Sequence, residues 1–411
     1  MSTSIQNLTL LSGGDFQIIR DGFISIEDGK ITEFGQGVPS RDKPVVLDGT
    51  GLVAIPGLIN AHVHLADSIA KDIGIGSSLD TLVHPIHGLK TKVLREARID
   101  DICQGMAQAS CTMIASGITT FADFREGGLA GVELEIKALS KSRQRRVILG
   151  RPNYYFDRDE VTNESKLFAS KTVDELRETI DLADGVGVSG ANEYTTSALK
   201  QISDLCKRSG KLLAIHVAES PEATQFSIEK FSTSEVHRAM NFLEPDFVVH
   251  LTNPSKDDLD ELSKNPIPVV CCPRANAILG LGTPPLKELL ENGITVALGT
   301  DNVMLNAPDM FREMDYASRV LRAVHRDAGV TSSKEILKMA TLNGAQALRL
   351  ASKVGSIEQG KAADIVFLDF RSSNLAYSKD TIGSIVHRAS REDVRCVMVE
   401  GEVVHGSIPR A

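Results

Sequence analysis

Two histidines, His62 and His64, stand one residue apart directly after an apolar run in the stretch AIPGLINAHVHLADS, residues 54–68. If this run is a β-strand, alternate side chains share a face, and both imidazoles can reach a single ion at about 2.0 to 2.1 Å. A polar side chain at the end of a buried strand is costly unless it is paired. The spacing therefore indicates a metal site, which needs further ligands from elsewhere in the chain.

Other ionisable side chains also end apolar runs. His216 ends KLLAIH and is followed three residues later by Glu219, His250 ends PDFVVH, and Asp301 ends GITVALGTD. Taken singly, each has an ordinary structural explanation, since strand-end histidines are often hydrogen-bonded and acidic residues often begin helices. Because such residues recur at four strand ends, we favour one shared site.

The elements that must position these side chains are eight short apolar runs in the middle of the chain. Segments with helical spacing separate them, most clearly residues 94–116, 197–209 and 285–292. Strands of this kind alternating with helices are typical of a parallel sheet covered on both faces. Eight units predict a (β/α)8 TIM barrel, an α/β fold whose catalytic residues gather at the carboxyl ends of the strands. The runs are LVAIPGLINAHVHL, GITTFADF, RRVILGRPNYY, GVGVSGAN, KLLAIHVAES, PDFVVHLT, IPVVCCPRAN and GITVALGTD.

An open doubly wound sheet is the alternative, but no G-x-G-x-x-G motif follows the first strand. Both ends of the chain contain short β-rich runs broken by Asp-Gly and Gly-x-Gly, as in GFISIEDGKITEFGQG and VRCVMVEGEVVHG. Neither end is long enough for its own core. We therefore predict a small β-sandwich built from residues 1–52 and 354–411, with the barrel, residues 53–353, inserted between them.

Composition restricts the class of partner. The 411 residues carry 45 Lys and Arg against 54 Asp and Glu, a net charge of −9, and no basic run predicts a nucleic-acid partner. No apolar stretch reaches the roughly 18 residues of a membrane span, and the first residues do not resemble a secretory leader. The six scattered cysteines predict buried thiols in a reducing cytoplasm. A redox pair at Cys271 and Cys272 is the less favoured reading.

In this order and spacing, PGLINAHVHLADS, HVAES, VVHLT and VALGTD resemble the amidohydrolase superfamily, most closely its deaminase and chlorohydrolase branch. The C-terminal GSIEQGKAADIVFLD resembles that branch's split sandwich domain, so the resemblance covers nearly the whole chain. It implies one divalent metal ion held by His62, His64, His216 and Asp301. Glu219 would be the proton shuttle, and His250 would orient the attacking water or the reacting centre.

Members with two metals carry a carbamylated lysine at the end of the fourth strand. That end reads GVGVSGANEY, and the first lysine after it is Lys200, too far into the next helix. We therefore expect one ion, although a carboxylate at Glu193 is in principle able to bridge a second. Imidazoles and a carboxylate without a thiolate favour Zn²⁺, while Fe²⁺ and Mn²⁺ are also compatible.

The resemblance implies an enzyme acting on C–N bonds other than peptide bonds. Hydroxide generated at the metal would attack a trigonal carbon, with Asp301, Glu219 and His250 as catalytic residues, and ammonia would leave. We predict a deaminase of an aminated purine, pyrimidine, pterin or nucleoside. The alternatives are an amidohydrolase or chlorohydrolase with the same site, and a non-catalytic barrel scaffold. The partner would be a small molecule, and related proteins are often homo-oligomers.

The substrate is less well indicated. Relatives acting on S-adenosylhomocysteine carry a histidine in a run that here reads SGANEY, and the chain has no Trp to stack on a base. These departures argue against an adenosine-type substrate. Arg125, Arg151 and Asn276 are candidate substrate contacts, the arginines for an anionic or carbonyl-rich ligand, with surface or salt-bridge roles as the alternative. His84 and His87 lie in a predicted loop of about 29 residues, long enough to be a lid.

Overall fold

The computed structural model describes residues 2–40 and 44–411. Met1 and residues 41–43, which belong to the predicted first part of the sandwich, lie outside the described residues. The strands are β1 (Ser2–Ser12), β2 (Gln17–Glu27), β3 (Lys30–Gln36), β4 (Val45–Asp48), β5 (Leu52–Pro56), β6 (Leu58–His64), β7 (Ile118–Arg125), β8 (Arg145–Gly150), β9 (Gly185–Val188), β10 (Leu212–Val217), β11 (Phe247–His250), β12 (Val269–Cys271), β13 (Val296–Leu298), β14 (Asp301–Asn302), β15 (Ile365–Asp369), β16 (Val394–Val399) and β17 (Glu402–Gly406).

Helices connect most of the strands in the middle of the chain. They are α1 (Leu79–Val83), α2 (Leu89–Glu96), α3 (Ile99–Ala115), α4 (Gly128–Ala138), α5 (Ser170–Leu182), α6 (Thr196–Ser209), α7 (Pro221–Phe231), α8 (Glu235–Arg238), α9 (Lys256–Lys264), α10 (Pro273–Ile278), α11 (Leu286–Glu291), α12 (Met310–His325), α13 (Ser333–Met339), α14 (Leu342–Ala347) and α15 (Thr381–His387). In the described part of the chain, no helix is both long and apolar enough to cross a bilayer.

One nine-stranded sheet runs in the order β13-β12-β11-β10-β9-β8-β7-β6-β14, and its strand pairs are parallel. Strand β14 follows β13 directly in the chain and pairs with β6, which places Asp301 opposite Val63 and Asn302 opposite His64. The chain thus has an α/β fold in which the last strand of the parallel sheet lies beside the first. The eight predicted apolar runs all contain strands of this sheet.

The two ends of the chain share an eight-stranded sheet of order β17-β16-β15-β5-β1-β2-β3, with β4 beside β1. Strand β15, from the C-terminal region, pairs antiparallel with β5, so that Ile365 lies opposite Pro56. The chain passes from this sheet to the parallel one at Gly57, where an added Cβ would lie 2.0 Å from Thr119 Oγ1. The predicted first run therefore forms two strands in two sheets. Only glycine fits the close approach to Thr119 at the residue between them.

Alternating residues on the parallel strands form a buried cluster under the carboxyl ends of the strands. Leu212 and Ala214 of β10 pack in it with Phe247 and Val249 of β11. Since every second residue of a strand shares a face, His216 continues the row begun by Leu212 and Ala214. The sequence pattern that builds the core therefore also directs this histidine to one end of it.

Two predicted elements differ from the structure. Residues 94–116, predicted as one helix, are divided between α2 and α3, because the backbone is extended at Ala97 and Arg98. The predicted loop with His84 and His87 contains a 3₁₀ turn at Ala66–Ala70 and the helices α1 and α2. We call residues 65–98, which join β6 to α3, the cover segment. The segments at 197–209 and 285–292 form α6 and α11, within one residue of the predicted starts and ends.

Candidate metal centre

Strand ends bring the two histidines of the H-x-H motif together with His216 of β10 and Asp301 of β14. The ring centres of His62 and His64 are 4.9 Å apart, and those of His62 and His216 are also 4.9 Å apart. Asp301 Oδ1 lies 3.2 Å from His62 Nε2 and 3.5 Å from His64 Nε2. All four side chains are at least 94% buried. The residues expected to hold an ion therefore converge in one place.

Ligand-type atoms in this region form three overlapping groups, each with its atoms within 4.8 Å of one another. The first joins His62 to His216 and His250, and the second joins His62 to His64 and Asp301. The third joins Glu219 to His250 and Asp301. Because the groups share members, all six residues singled out in the sequence belong to one cluster.

The free ligand atoms fit a bound cation. His64 Nδ1 lies 3.0 Å from the Phe124 carbonyl, and His216 Nδ1 lies 2.8 Å from the Val188 carbonyl. Each Nδ1 thus carries a proton, which leaves Nε2 free as a ligand. His62 Nδ1 and Asp301 Oδ2 are buried without a hydrogen-bond partner in residues 2–40 and 44–411. Orphaned polar atoms of this kind are rare in folded proteins unless something further binds them.

Burial sets the protonation of these groups in favour of metal binding. It lowers the pKa of His62 to about 3 and that of His216 well below its usual value. Burial alone would raise the pKa of Asp301, but the hydrogen bond with His62 and the neighbouring histidines hold it well below its usual range. Neutral imidazoles beside an ionised carboxylate are the ligand forms that a divalent cation requires.

Three strand ends of the site have backbone angles that side chains rarely adopt. His250 has φ of 72°, Asp301 has φ of 58°, and Ala218, between His216 and Glu219, has φ of 47°. Each such residue costs on the order of 1 to 3 kcal/mol and persists only where the surroundings fix it. At Ala218 this support is Glu235 of α8, which accepts the backbone N–H of Ala218 at 2.9 Å and that of Ala191 at 3.0 Å.

Glu219 and His250 face each other at the open side of the cluster. His250 Nε2 lies 3.6 Å from Glu219 Oε1, and the Glu219 side chain is 17% exposed. Burial raises the pKa of Glu219 to about 7, although the nearby His250 opposes this shift. A carboxyl group with a pKa near neutrality can both give and take a proton, which is what a proton shuttle must do.

Asn276 was predicted to contact the substrate, but the structure places it behind His250. Its side-chain nitrogen lies 3.2 Å from His250 Nδ1, it is fully buried, and it is not among the described residues that line the cavity. With Nδ1 accepting from Asn276 in the assigned amide orientation, His250 Nε2 carries the proton and faces the cavity. This position suits a residue that orients His250.

The two predicted arginines have different surroundings. Arg125 donates from Nε to the Gly131 carbonyl at 3.2 Å and is not among the described residues lining the cavity, so it fits a structural role. Arg151 lines the cavity, is 7% exposed, and has an Nε without a hydrogen-bond partner in the described chain. Of these two arginines, only Arg151 is placed to meet a ligand in the cavity.

Glu193, considered as a bridge to a second ion, lies on the cavity wall. Its carboxyl group accepts from the Ser189 hydroxyl, and burial raises its pKa to about 8 against the effect of Arg151. It belongs to none of the three ligand groups found among the described residues. A second ion at Glu193 therefore has no ligand set there.

The site opens into a cavity of about 730 Å³. His216, His250 and Asp301 line it, and residues 78–80 and 83–86 of the cover segment form part of its wall. His84 lies on this wall, whereas His87 is exposed and stacks on His84 at 5.2 Å. The volume is that of a small-molecule site.

Four polar residues beside the ligands were not anticipated from the sequence: Asp67, Lys90, Glu126 and Asn302. Glu126 directly follows β7, and its Oε1 lies 2.9 Å from His64 Nδ1. The strand-end rule that identified the candidate ligands would also have found Glu126 in FADFREGG. Lys90 lies on α2, and no local pattern predicts that it reaches the site.

The chain is similar over most of its length to a known protein family and to individual proteins. The model of the amidohydrolase family matches residues 53–404. An uncharacterised protein of Methanocaldococcus jannaschii is 39% identical over 93% of this chain and 94% of its own length. A 5-methylthioadenosine/S-adenosylhomocysteine deaminase of Caldanaerobacter subterraneus is 31% identical over 98% of this chain and 93% of its own length.

Two solved structures share the fold. An adenosine deaminase from Xanthomonas campestris with bound zinc has a TM-score of 0.81 at 19% identity and covers 98% of this chain and 92% of its own. Atrazine chlorohydrolase from Arthrobacter aurescens, complexed with zinc, has a TM-score of 0.86 at 20% identity and covers 98% of this chain and 95% of its own. At these identities the likeness concerns the fold.

Proposed function

This chain belongs to the amidohydrolase family, and from that premise we propose that it is a metal-dependent hydrolytic deaminase releasing ammonia from an aminated heterocycle. The observation that carries the proposal is the grouping of Glu219 with His250 and Asp301 beside the histidines of the other two ligand groups, His62, His64 and His216. A proton-transfer carboxyl group next to a candidate cation site suits attack of water on a C=N carbon. The name of the 31% identical deaminase supports the same reaction class.

His62, His64, His216 and Asp301 would hold the ion, which we propose to be Zn²⁺, with Fe²⁺ and Mn²⁺ as the other ions this ligand set accepts. When bound, such an ion lowers the pKa of a water molecule to about 7 and makes it a nucleophile. The zinc in the two structural neighbours supports this choice of metal.

The chain's own groups then handle the protons. Asp301 Oδ2, which has no partner in the described chain, accepts a proton from the attacking water. Glu219 gives a proton to the ring nitrogen as the carbon becomes tetrahedral. It then takes up the proton of the new hydroxyl group and passes it to the amino group as the C–N bond breaks, so that ammonia leaves and a carbonyl remains, and the proton on Asp301 returns to Glu219. His250 Nε2 donates to the oxygen on which negative charge develops.

Arg151 is the substrate contact that we retain from the sequence. Its buried, incompletely bonded guanidinium on the cavity wall suits a carbonyl or anionic edge of the substrate. Purine, pyrimidine and pterin bases and their nucleosides carry such edges. The cavity volume of about 730 Å³ accommodates a base with a substituent.

The proposal is tested by ammonia release. We would load the purified protein with one equivalent of Zn²⁺ and assay adenine, guanine, cytosine, pterin, adenosine and 5-methylthioadenosine. Turnover of at least one compound, with loss of activity in Glu219→Gln, is expected. Release of chloride or an alkylamine from triazines, without ammonia from any base, would instead identify the chlorohydrolase activity. A protein that binds no divalent ion would favour the scaffold alternative.

The same proposal includes the full architecture. We propose a closed (β/α)8 barrel at residues 53–353 with a sandwich domain formed by residues 1–52 and 354–411. The pairing of β14 with β6 supports closure, and the pairing of β15 with β5 supports a shared terminal domain. The six cysteines are free thiols, which suits the cytoplasm as the proposed location, but the prediction that they are buried is wrong for Cys111, which is exposed, and Cys103 is only partly buried. Homo-oligomerisation stays a prediction.

A further inference from the structure

Lys90, on helix α2 of the cover segment, is a lysine that the reaction does not use, yet it is only 5% exposed. Its Nζ lies 2.5 Å from Glu126 Oε1 and 3.4 Å from Asp67 Oδ2, and it donates to Asn302 Oδ1 at 2.8 Å. The ammonium group thus makes one hydrogen bond, to Asn302, and two ion-pair contacts with carboxylates. A buried lysine is tolerated only when it is paired in this way.

Two of the three partners of Lys90 contact metal ligands. Glu126 Oε1, which pairs with Lys90, also lies 2.9 Å from His64 Nδ1. Asn302 donates from its amide nitrogen to Asp301 Oδ1 at 2.8 Å. One intervening side chain, that of Glu126, therefore connects Lys90 to His64 on β6. Another, that of Asn302, connects Lys90 to Asp301 on β14.

The lysine also fixes how these partners are oriented. An ammonium group has only donors, so Asn302 must turn its oxygen towards Lys90, and its amide nitrogen then faces Asp301. Without Lys90 the amide is free to rotate by half a turn, which would place its oxygen against the Asp301 carboxylate. Lys90 likewise holds Glu126 beside His64 Nδ1, where its carboxylate acts together with the Phe124 carbonyl to keep the proton on Nδ1 and leave Nε2 for the ion.

The third partner connects the same lysine to the cover segment and to the turn after β14. Asp67 lies at the start of the cover segment and accepts the backbone N–H of Met304 at 3.0 Å. Residues 78–80 and 83–86, which line the cavity, lie between Asp67 and Lys90 along the chain. The contacts of Lys90 thus hold both ends of the part of the segment that forms the cavity wall.

We propose that Lys90 is a positioning residue that couples the order of the cover segment to metal binding by His64 and Asp301. This inference rests on the metal site of the proposed function. Because coupling between two events is reciprocal, the ion should order the segment to the same extent that the ordered segment strengthens binding of the ion. Lys90 Nζ contacts Glu126, Asp67 and Asn302, none of which is a proposed ligand of the ion, and its side chain also borders the cavity.

The test compares Lys90→Met with Lys90→Arg, which keeps the charge, and with Lys92→Met, which removes an exposed lysine from the same helix. Zn²⁺ affinity is measured by competition with a chelating dye. We expect Lys90→Met to lose about 10- to 100-fold in affinity, as is typical when a residue supporting a metal ligand is removed. Lys90→Arg should recover most of the loss, and Lys92→Met should match the wild type.

Two further readouts separate positioning from a general loss of stability. The visible absorption spectrum of the Co²⁺-loaded protein should change in Lys90→Met and be restored in Lys90→Arg, because it reports ligand geometry. Hydrogen exchange of residues 71–96 should slow when Zn²⁺ is added to the wild type, and slow much less in Lys90→Met. If Lys90→Met does not fold, Glu126→Gln weakens the same connection and should show the same three effects.

The inference is overturned if a folded Lys90→Met or Glu126→Gln variant has wild-type Zn²⁺ affinity and a wild-type Co²⁺ spectrum. It is also overturned if Zn²⁺ leaves exchange in the cover segment of the wild type unchanged. A wild-type protein that binds no divalent ion would refute the proposed function itself, which distinguishes the two failures.

Discussion

Asp301 Oδ1 lies 3.2 Å from His62 Nε2, although 239 residues separate the two in the chain. The contact exists because β14 pairs with β6, at the place where the last strand of the parallel sheet meets the first. The candidate metal centre therefore depends on this strand pairing. A change that weakens the β6–β14 pairing should weaken the site as well.

Removal of a ligand should deplete the metal. His64→Asn replaces an imidazole whose Nε2 is free for an ion by an amide that cannot reach the same point, so we expect less than about a tenth of the wild-type metal content. Elemental analysis of the purified protein measures this. His405→Asn, in strand β17 of the terminal sheet, is the control and should retain full content. Equal metal in both variants would remove His64 from the ligand set.

Glu219→Gln should keep the ion and lose catalysis. Glutamine is nearly isosteric but cannot transfer protons, so kcat for ammonia release should fall by about 100-fold or more while the metal content stays unchanged. Glu229→Gln, at an exposed position on α7, should stay within about twofold of the wild type. Persistent activity in Glu219→Gln would show that the proton shuttle is another group.

Asn276→Leu separates an orienting role from substrate contact. Since Asn276 contacts His250 and does not line the cavity, the substitution should lower kcat by about tenfold or more and leave KM nearly unchanged. Steady-state kinetics on the best substrate provide the measurement. A rise in KM with an unchanged kcat would restore the original prediction that Asn276 binds the substrate.

Arg151→Met should act mainly on binding. Loss of a charged hydrogen-bond donor to a ligand costs about 1.5 to 3 kcal/mol, which corresponds to a KM or an inhibitor dissociation constant raised by about 10- to 100-fold. Arg177→Gln, which removes an exposed arginine from α5, is the matched control. If KM does not change, the cavity wall at Arg151 is not part of the substrate site.

Stability should fall as the pH rises from acid to alkaline because of Glu313 on α12. Burial raises its pKa to about 8 from the usual 4.5, and its partner Arg274 opposes the shift. Between these two values the folded chain holds a proton that the unfolded chain has lost. Its contribution to stability is therefore complete below about pH 4.5 and is lost as the pH rises through about 8.

Glu313→Gln cannot ionise but can still accept the Arg274 N–H, which Glu313 accepts at 3.0 Å. Urea unfolding at pH 5.5 and 8.5 should give a smaller fall in the free energy of unfolding for Glu313→Gln than for the wild type. For Glu291→Gln, at an exposed position, the free energy of unfolding should fall by as much as it does for the wild type. Identical falls in all three proteins would place the ionisation elsewhere.

The sequence predicted those parts of the site that follow from local pattern. His62, His64, His216 and His250 each end an apolar strand, and strand ends of a parallel barrel meet on one side, so their convergence could be expected without coordinates. Glu219 and Asp301 follow by the same rule. The strands themselves were readable because continuous apolar runs are typical of a doubly covered parallel sheet.

Other features depend on contacts between distant parts of the chain. Lys90 reaches Asn302 across 212 residues, and no spacing rule relates a helix of a long connection to a strand end. Asn276 was assigned to the substrate because it follows a strand, but its rotamer turns it towards His250. The division of the first predicted run at Gly57 reflects the close approach of Thr119, which only the packed structure reveals.

The most direct test of the account is a crystal structure of the Zn²⁺-loaded protein with diffraction data recorded on both sides of the zinc absorption edge. We predict one anomalous peak within about 2.0 to 2.2 Å of a nitrogen of His62, His64 and His216 and of an Asp301 oxygen. A peak bound by other residues, or none at these four side chains despite bound zinc, would contradict the account.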